Sequence, residues 1–313
     1  MFRNIILFPH RFGQRRPGVD KTPYFIKSLL HPNSNIVESS VGKDMHINLY
    51  NLYQTNVLTS GPRVNIGGDH SMSIATIADS IRRYPDLKVI WMDAHADINT
   101  YYHSNTKNLH GMPLSILTGI EKESKLNFIR NRIHPNNIMY IGIRDIDPFE
   151  QKIIYEHEMR VVTIEEIHEN PSAAWKNISN FIGNSPVHFS FDVDVLDPSV
   201  IPSTGTSVSN GLRLEPCKEI IDNMNTADIG KKAIISLLAK LPLETNIAVP
   251  TTRFDVNHPG TVSTLLIDII KLCAQYTAIA GKEFLPGLLA RETNNVQFNF
   301  LQPGSMYFNY FLI

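Results

Sequence analysis

The stretch KVIWMDAHADINT, Lys88 to Thr100, is the part of the chain that most clearly indicates its fold class. The run Lys88–Met92 is continuously apolar after its first residue, as expected of a strand that is covered on both faces of a sheet. Asp93, His95 and Asp97 follow at every second position, so an extended backbone would place their three side chains on one side. The stretch predicts a buried strand that carries a polar cluster at its carboxyl end.

Further apolar, β-branched runs predict the rest of a sheet. The strand candidates are Asn4–Phe8, Arg63–Ile66, Lys88–Met92, Ile138–Ile143, Arg160–Ile164, Pro186–Phe191 and Ala233–Leu238. The spacing of apolar residues predicts helices around Ile74–Ile81, over Ser172–Ile182 and over Val262–Ile279. This alternation is typical of a doubly wound α/β sheet with parallel strands. Neither an internal repeat nor a low-complexity linker interrupts the chain, so residues 1–313 are predicted to form a single domain.

Composition limits the classes of function that the chain can have. The 29 Lys and Arg residues balance 30 Asp and Glu, which gives a net charge of -1 at pH 7. This balance gives no electrostatic footprint for nucleic acid or for an anionic membrane. The apolar runs are too short for a membrane-spanning helix. The two cysteines, Cys217 and Cys273, lie far apart and indicate a reducing compartment, so a cytoplasmic location is expected.

The amino-terminal segment allows two interpretations. Arg3, Arg11, Arg15 and Arg16 lie among few acids, which is a feature of mitochondrial targeting segments. The alternative is favoured, because Asn4–Phe8 has the pattern of a first strand and the glycines and proline after it indicate a loop that enters a helix.

Two more motifs follow strand candidates in the same way. The GGDHS run places His70 after one strand, and the SFDVDVLDP run places Asp192 and Asp194 after another. Ligands gather at the carboxyl ends of the strands in open α/β sheets, so the three motifs are expected to share one site. The candidate metal ligands are His70, Asp93, His95, Asp97, Asp192 and Asp194.

These residue types point to a pair of divalent cations. Carboxylates with some imidazole suit a harder cation than thiolates do, which favours manganese, with zinc, cobalt or nickel as alternatives. Four Asp charges balance two such ions, and two ions can activate a shared water as a nucleophile. His110, in the NLHG run, is a candidate proton shuttle, although a lone His is more often structural. Asp69 and Asp197 are predicted to fix loops.

Taken in order, the motifs resemble those of the arginases, in the ureohydrolase family. GQRRPGV (Gly13 to Val19), IGIRDIDPFE (Ile141 to Glu150) and SFDVDVLDPSVIPSTGT (Ser190 to Thr206) fit beside the runs described above. The resemblance implies a single three-layer α/β/α domain around a mostly parallel sheet of about eight strands. It also implies two Mn²⁺ ions per subunit, hydrolysis of L-arginine to L-ornithine and urea, and a homo-oligomer, either a trimer or a hexamer.

The resemblance further implies roles for single residues. Asp97 and His110 match catalytic positions of the family. The substrate-binding positions are matched by Asn99, Thr106, Asp147, Glu150 and Thr206. Asn99 and Thr106 match residues that hold the α-carboxylate of the substrate. Asp147 and Glu150 match those that hold its α-amino group, directly or through water, and Thr206 matches a residue that lines the guanidinium end. This clamp disfavours agmatine, which has no α-carboxylate.

The chain departs from the family pattern at the guanidinium end. Where arginases carry Gly-Leu-(Ser/Thr)-x-Arg-Glu, this chain reads GLRLEP, which puts Pro216 at the position of the Glu and Glu215 one residue earlier. A one-residue shift would bring Glu215 inward, although neighbours on a strand point apart. LPLETN, Leu241 to Asn246, resembles the next family motif only loosely. Three functions follow: hydrolysis of L-arginine, hydrolysis of another guanidino or formimino compound, or metal binding with little catalysis in a structural or regulatory role.

Overall fold

The structure, a computed structural model, describes residues 4–15, 17–30, 34–201, 204, 206–226 and 234–236. The chain divides into two compact units, Met1–Lys240 and Leu241–Ile313, and all of the described residues belong to the first. The predicted helix over Val262–Ile279 and the LPLETN run lie outside them. The single domain over residues 1–313 stays a prediction.

The first unit is built on one sheet. Its strands are β1 (Asn4–Phe8), β2 (Asn35–Glu38), β3 (Arg63–Gly67), β4 (Lys88–Met92), β5 (Ile138–Ile141), β6 (Arg160–Val162), β7 (Val187–Phe191) and β8 (Ile234–Ser236). The 8-stranded sheet has the order β2-β1-β3-β8-β7-β4-β5-β6, and every pairing is parallel. The predicted parallel α/β sheet is therefore confirmed.

Helices connect the strands. They are α1 (Thr22–Leu29), α2 (Met45–Leu58), α3 (Met72–Arg83), α4 (Pro113–Thr118), α5 (Pro148–Glu156), α6 (Ile164–Glu169), α7 (Pro171–Ile182) and α8 (Leu214–Thr226). Polar side chains define several of the starts: Asp44 accepts from two backbone N–H groups of α2, and Asn170 accepts from one of α7. The predicted helices around Ile74–Ile81 and over Ser172–Ile182 are confirmed as α3 and α7. Within the described part of the chain, no helix has both the length and the apolar character to cross a bilayer.

Each face of the sheet packs into its own apolar cluster. In β4, Val89 and Trp91 belong to the cluster that includes α3, whereas Ile90 and Met92 belong to the cluster that includes α7. Alternate residues of a strand point to opposite faces, so β4 is covered on both sides. The described unit therefore has the three-layer α/β/α arrangement, with β4 among its most deeply buried strands.

The structure corrects three details of the predicted strands. β2 was not predicted, because NIVE is short, has two exposed residues and lies at the edge of the sheet. The strand predicted over Ile138–Ile143 ends two residues earlier, because Gly142 turns the chain with φ +84. The strand predicted over Arg160–Ile164 also ends two residues early, because the Thr163 side chain accepts from a backbone N–H of α6 and begins that helix.

Candidate metal centre

Three loops with acidic and imidazole side chains meet at the carboxyl edge of the sheet. β4 and β7 are neighbours, and β8 lies between β7 and β3. Asp93 follows β4 directly, Asp192 follows β7 directly, and His70 lies three residues beyond the end of β3. Because all three strands are parallel, their carboxyl ends share one edge, and the structure brings all six predicted ligands together there.

His70 lies at the centre of a first cluster. Its Nδ1 atom is 2.8 Å from Asp93 Oδ2, 3.2 Å from Asp97 Oδ2 and 3.4 Å from Asp192 Oδ2. His70 Nδ1 and Asp93 Oδ2 are buried and have no hydrogen-bond partner among the described residues. An octahedral ion places adjacent ligand atoms about 3 Å apart. The distances and the two unpartnered atoms therefore fit a cation bound between these side chains.

Asp93 also belongs to a second cluster. His95 Nδ1 lies 3.4 Å from Asp93 Oδ1 and 3.1 Å from Asp194 Oδ2. The ligand atoms of Asp93, His95 and Asp194 all lie within 4.8 Å of one another, and the same holds for His70, Asp93 and Asp97. Asp93 thus turns one carboxylate oxygen toward each histidine, which is the arrangement expected of a carboxylate that bridges two ions.

The carboxylates of both clusters repel one another. Desolvation and the neighbouring Asp93 raise the pKa of Asp97 to about 8. Desolvation and Asp194 raise the pKa of Asp192 to about 6. Buried like charges of this kind are stable together only when cations offset them. Burial opposes a charge on His95, yet its contacts with Asp194 and Asp93 raise its pKa to about 12, so the site favours positive charge between these carboxylates, on an imidazole or on a bound cation.

Neighbouring side chains hold the two histidines in place. His70 Nε2 lies 2.9 Å from Ser190 Oγ, and the His70 ring stacks on Trp91 with a centroid distance of 4.1 Å. His95 Nε2 lies 3.6 Å from a carboxylate oxygen of Asp145. Both histidines therefore keep Nδ1 for the cluster while the other ring nitrogen faces a polar group, as metal-binding histidines commonly do.

Asp69 and Asp197 fix loops, as predicted. Asp69 accepts from the backbone N–H groups of Gly13 at 3.0 Å and Ser71 at 3.1 Å, which ties the loop after β1 to the His70 loop. Asp197 accepts from the backbone N–H groups of Ser199 at 2.9 Å and Gly211 at 3.1 Å.

The prediction of an extended segment from Asp93 to Asp97 is wrong. The strand ends at Met92, and Asp97 has φ +48, in the left-handed region. Aspartate tolerates this region better than most residues, and the strain is held by the surroundings, where Leu114 N donates to Asp97 O at 3.0 Å. The bend, rather than an extended backbone, turns Asp97 toward His70.

A comparison of this chain with known proteins indicates the same family as its motifs do. Residues 5–233, most of the chain, match the Arginase family. The chain belongs to the arginase family. The arginase of Schizosaccharomyces pombe is 34% identical over 242 residues, which is 75% of this chain and 69% of that protein. The arginase of Eremothecium gossypii is 38% identical over 170 residues, 51% of this chain and 42% of that protein.

A solved arginase has the same fold. The crystal structure of the Entamoeba histolytica arginase in complex with L-ornithine matches with a TM-score of 0.69 and 28% identity, over 77% of this chain and 92% of that one. The alignments span about half the length of several curated arginases. Residues 262–312, outside the described part, match a different family, the Surp module.

Three of the arginase-family substrate positions meet beside the clusters. Asn99 is buried and its Nδ2 donates to Asp147 Oδ2 at 2.6 Å. Glu150 is 5% exposed, and its two oxygens accept from the backbone N–H groups of Ile98 at 3.1 Å and Asp147 at 3.0 Å. Burial raises the pKa of Glu150 to about 7. Glu150 therefore holds the backbone on both sides of the clamp, whereas Asp147 is exposed and its Oδ2 is held by Asn99.

The remaining arginase-family positions lie in three different settings. Thr206 Oγ1 donates to Asp194 Oδ2 at 3.1 Å, which places it at the second cluster. Thr106 is exposed, and its hydroxyl accepts from Asn108 N at 3.3 Å. Glu215 is exposed in the first turn of α8, so the strand geometry considered for this segment is wrong. The assignment of Glu215 to the guanidinium end stays a prediction.

His110 lies in the 3-10 turn Leu109–Gly111, which borders the candidate ligand Asp97. Its backbone N–H donates to Gly13 O at 3.0 Å, and a Cβ atom built on Gly111 would lie 4.0 Å from Asp97 Oδ1. Burial lowers the pKa of His110. The turn therefore holds this half-buried imidazole in a segment that borders the first cluster.

Several supporting residues were missed at the level of sequence. Ser190 is a buried polar residue inside an apolar strand, which is a signal that a partner exists. Arg144 and Asp145 lie in the quoted IGIRDIDPFE motif, and neither received a role. Trp91 looks like an ordinary core residue, and only the structure shows its ring against His70.

Proposed function

We propose that this protein is a binuclear manganese hydrolase that converts L-arginine to L-ornithine and urea. The observation that carries the proposal is the pair of His and Asp clusters that share Asp93. The complex of the Entamoeba histolytica arginase with L-ornithine, the product of this reaction, supports the choice of substrate. The contact between Asn99 and Asp147, two residues that match the family's α-amino-acid clamp, supports an α-amino acid in place of a simple amine.

The residues present divide the work of such a reaction. Two Mn²⁺ ions bound in the clusters would polarise a shared water and so supply the nucleophile that adds to the guanidinium carbon. His70, Asp97 and Asp192 would hold one ion, His95 and Asp194 would hold the other, and Asp93 would contribute to both. Since every ligand loop is anchored to the sheet, the side chains need little reorganisation during the reaction.

Other residues orient the substrate and move its protons. Asp147 faces the α-amino group and is kept in place by Glu150 and Asn99. The bond between the guanidinium carbon and the leaving nitrogen then breaks, and that nitrogen needs a proton to depart as the side-chain amine of ornithine. His110 would deliver this proton, because the turn that carries it borders Asp97 and the first cluster.

The decisive measurement is urea release from L-arginine by manganese-loaded protein, with agmatine in parallel. We expect urea from L-arginine only, and loss of that urea in Asp93→Ala. Asp86→Ala is the matched control, since Asp86 is exposed in the turn after α3 and lies outside the clusters. Protein that carries two ions and releases no urea from L-arginine would overturn the proposal.

A second candidate is hydrolysis of another guanidino or formimino compound. The exposed position of Glu215 on α8 favours it, because an altered guanidinium end would change substrate preference. A panel of such compounds, tested on the same metal-loaded protein, separates it from the first. Two bound ions with no turnover on any of them would support the third reading, an arginase-like metal-binding protein with a structural or regulatory role.

The homo-oligomer and the cytoplasmic location expected from the sequence are proposals as well. Light scattering of the purified chain tests the first, and a trimer or hexamer is expected. Imaging of the tagged full chain in its own cells tests the second.

A further inference from the structure

Arg144 has an unusual set of hydrogen-bond partners for a charged side chain. It is half-buried in the segment between β5 and α5, and its guanidinium donates to backbone carbonyls. The acceptors are Ser209 O at 2.9 Å, Gly142 O at 3.1 Å, Asp194 O at 2.8 Å and Val208 O at 2.8 Å. All three guanidinium nitrogens are therefore used by main chain from three different segments.

Two of these segments belong to the second metal cluster. Asp194 is a predicted ligand, and Val208 and Ser209 follow Thr206, whose hydroxyl donates to Asp194 Oδ2. The contact reaches the β4 loop as well, because the backbone N–H of Arg144 donates to Ala94 O at 2.8 Å. Ala94 lies between Asp93 and His95 and itself donates to Asp194 Oδ1 at 3.2 Å.

The loop packs closely on the guanidinium. A Cβ atom on Gly211 would lie 2.7 Å from Arg144 Nη2 and 2.4 Å from Asp197 N, so a side chain at this position has no room. Residues 206–210 lie outside any helix or strand, so their carbonyls depend on side-chain donors for order. Here Arg144 supplies donors to two consecutive carbonyls of that segment.

We propose that Arg144 is a positioning residue that fixes Asp194 and the loop of Thr206 for the metal ion held by Asp93, His95 and Asp194. The inference rests on the proposed binuclear site. It assigns Arg144 to one ion only, because its contacts reach the second cluster and none of those described reaches His70 or Asp97. Lysine cannot replace it, since a single ammonium group cannot present a planar fork to carbonyls on three segments.

The test is a Mn²⁺ titration of the full chain carrying Arg144→Met or Arg144→Lys, read by elemental analysis after dialysis at graded free Mn²⁺. We expect one ion to bind as in the wild type and the other to bind about 10- to 100-fold more weakly, as found when groups that orient metal ligands are removed. Arg132→Lys is the matched control, because Arg132 donates to the carbonyl of Ile116 away from the clusters. That variant is expected to bind both ions normally.

Two results would overturn the inference: wild-type affinity for both ions in the Arg144 variants, or an equal weakening of both. If Arg144→Met does not fold, Arg144→Lys decides by the same titration. The readout does not need turnover. Wild-type protein that binds two ions without releasing urea would therefore overturn the proposed function and leave the role of Arg144 standing.

Discussion

Asp79 offers a test of what stabilises the amino-terminal edge of the sheet, which lies opposite the two His and Asp clusters. This carboxylate, on α3, is fully buried and pairs with Arg63, which begins β3, and with Arg82 and Arg83 on its own helix. The distance from Arg83 Nε to Asp79 Oδ2 is 2.8 Å, and that from Arg82 Nη2 to Asp79 Oδ1 is 2.7 Å. The perturbation is Asp79→Asn, which keeps the shape of the side chain and removes its charge.

The magnitude follows from the burial of the partners. The Arg63 side chain is 1% exposed, and its other donors reach Asn56 Oδ1 at 2.8 Å and Thr59 O at 3.2 Å. Without Asp79 this guanidinium stays buried with no counter-charge, and breaking such a pair costs about 3–5 kcal/mol. Arg83 also loses its contact with Asp79, although its Nη2 still donates to carbonyls at the end of α2, including Asn56 O at 2.8 Å.

Urea denaturation followed by tryptophan fluorescence measures the loss. Both tryptophans of the chain, Trp91 and Trp175, lie in the first unit, so the signal reports on this sheet. Arg82→Gln is the control: its side chain is 42% exposed, and loss of a solvent-exposed pair should cost below about 1 kcal/mol. A loss under about 1 kcal/mol in Asp79→Asn, or equal losses in the two variants, would show that Asp79 does not stabilise the buried Arg63.

Three further predictions follow from other buried groups. Asp93→Ala should remove both manganese ions, whereas Asp97→Ala and Asp194→Ala should each remove one; elemental analysis that shows equal losses in all three would contradict the shared ligand. Burial lowers the pKa of His188 from 6.5 to about 3. As the pH falls below 6.5, only the unfolded chain gains this proton, so the free energy of unfolding drops by about 1.4 kcal/mol per pH unit. Between pH 7.5 and 5.0, His188→Gln should therefore lose about 2 kcal/mol less than the wild type in urea denaturation, and equal losses would exclude this role. Glu150→Ala leaves two backbone N–H groups without their acceptor and should cost about 1–3 kcal/mol, with a rise in KM for L-arginine; an unchanged KM would remove Glu150 from the clamp.

The sequence was sufficient for the sheet and for the meeting of the six candidate ligands at one edge, because both depend on local pattern. Continuous apolar runs such as Lys88–Met92 can satisfy their backbone only inside a covered sheet, and the polar residues directly after them must then lie at its edge. The ligand set needed no knowledge of the bend at Asp97, because parallel strands bring the loops together however each loop turns.

The residues that were missed depend on contacts that a sequence does not display. Arg144 binds main-chain carbonyls, which every residue has, so no partner type marks its role. The short edge strand Asn35–Glu38 lacks a buried run. Glu215 was placed by register with a family motif, yet the residues from Leu214 onward follow helical packing, with Cys217, Ile220 and Met224 buried.

The position of β8 connects the candidate metal site with the stability of the sheet. Among the described residues, this three-residue strand alone joins the three strands on one side of the sheet to the four on the other. His70 follows a strand of the group of three, whereas Asp93 follows a strand of the group of four. An ion bound between them would link the two groups of strands. An ion held there would therefore raise the resistance of this sheet to unfolding, because it binds only the folded chain.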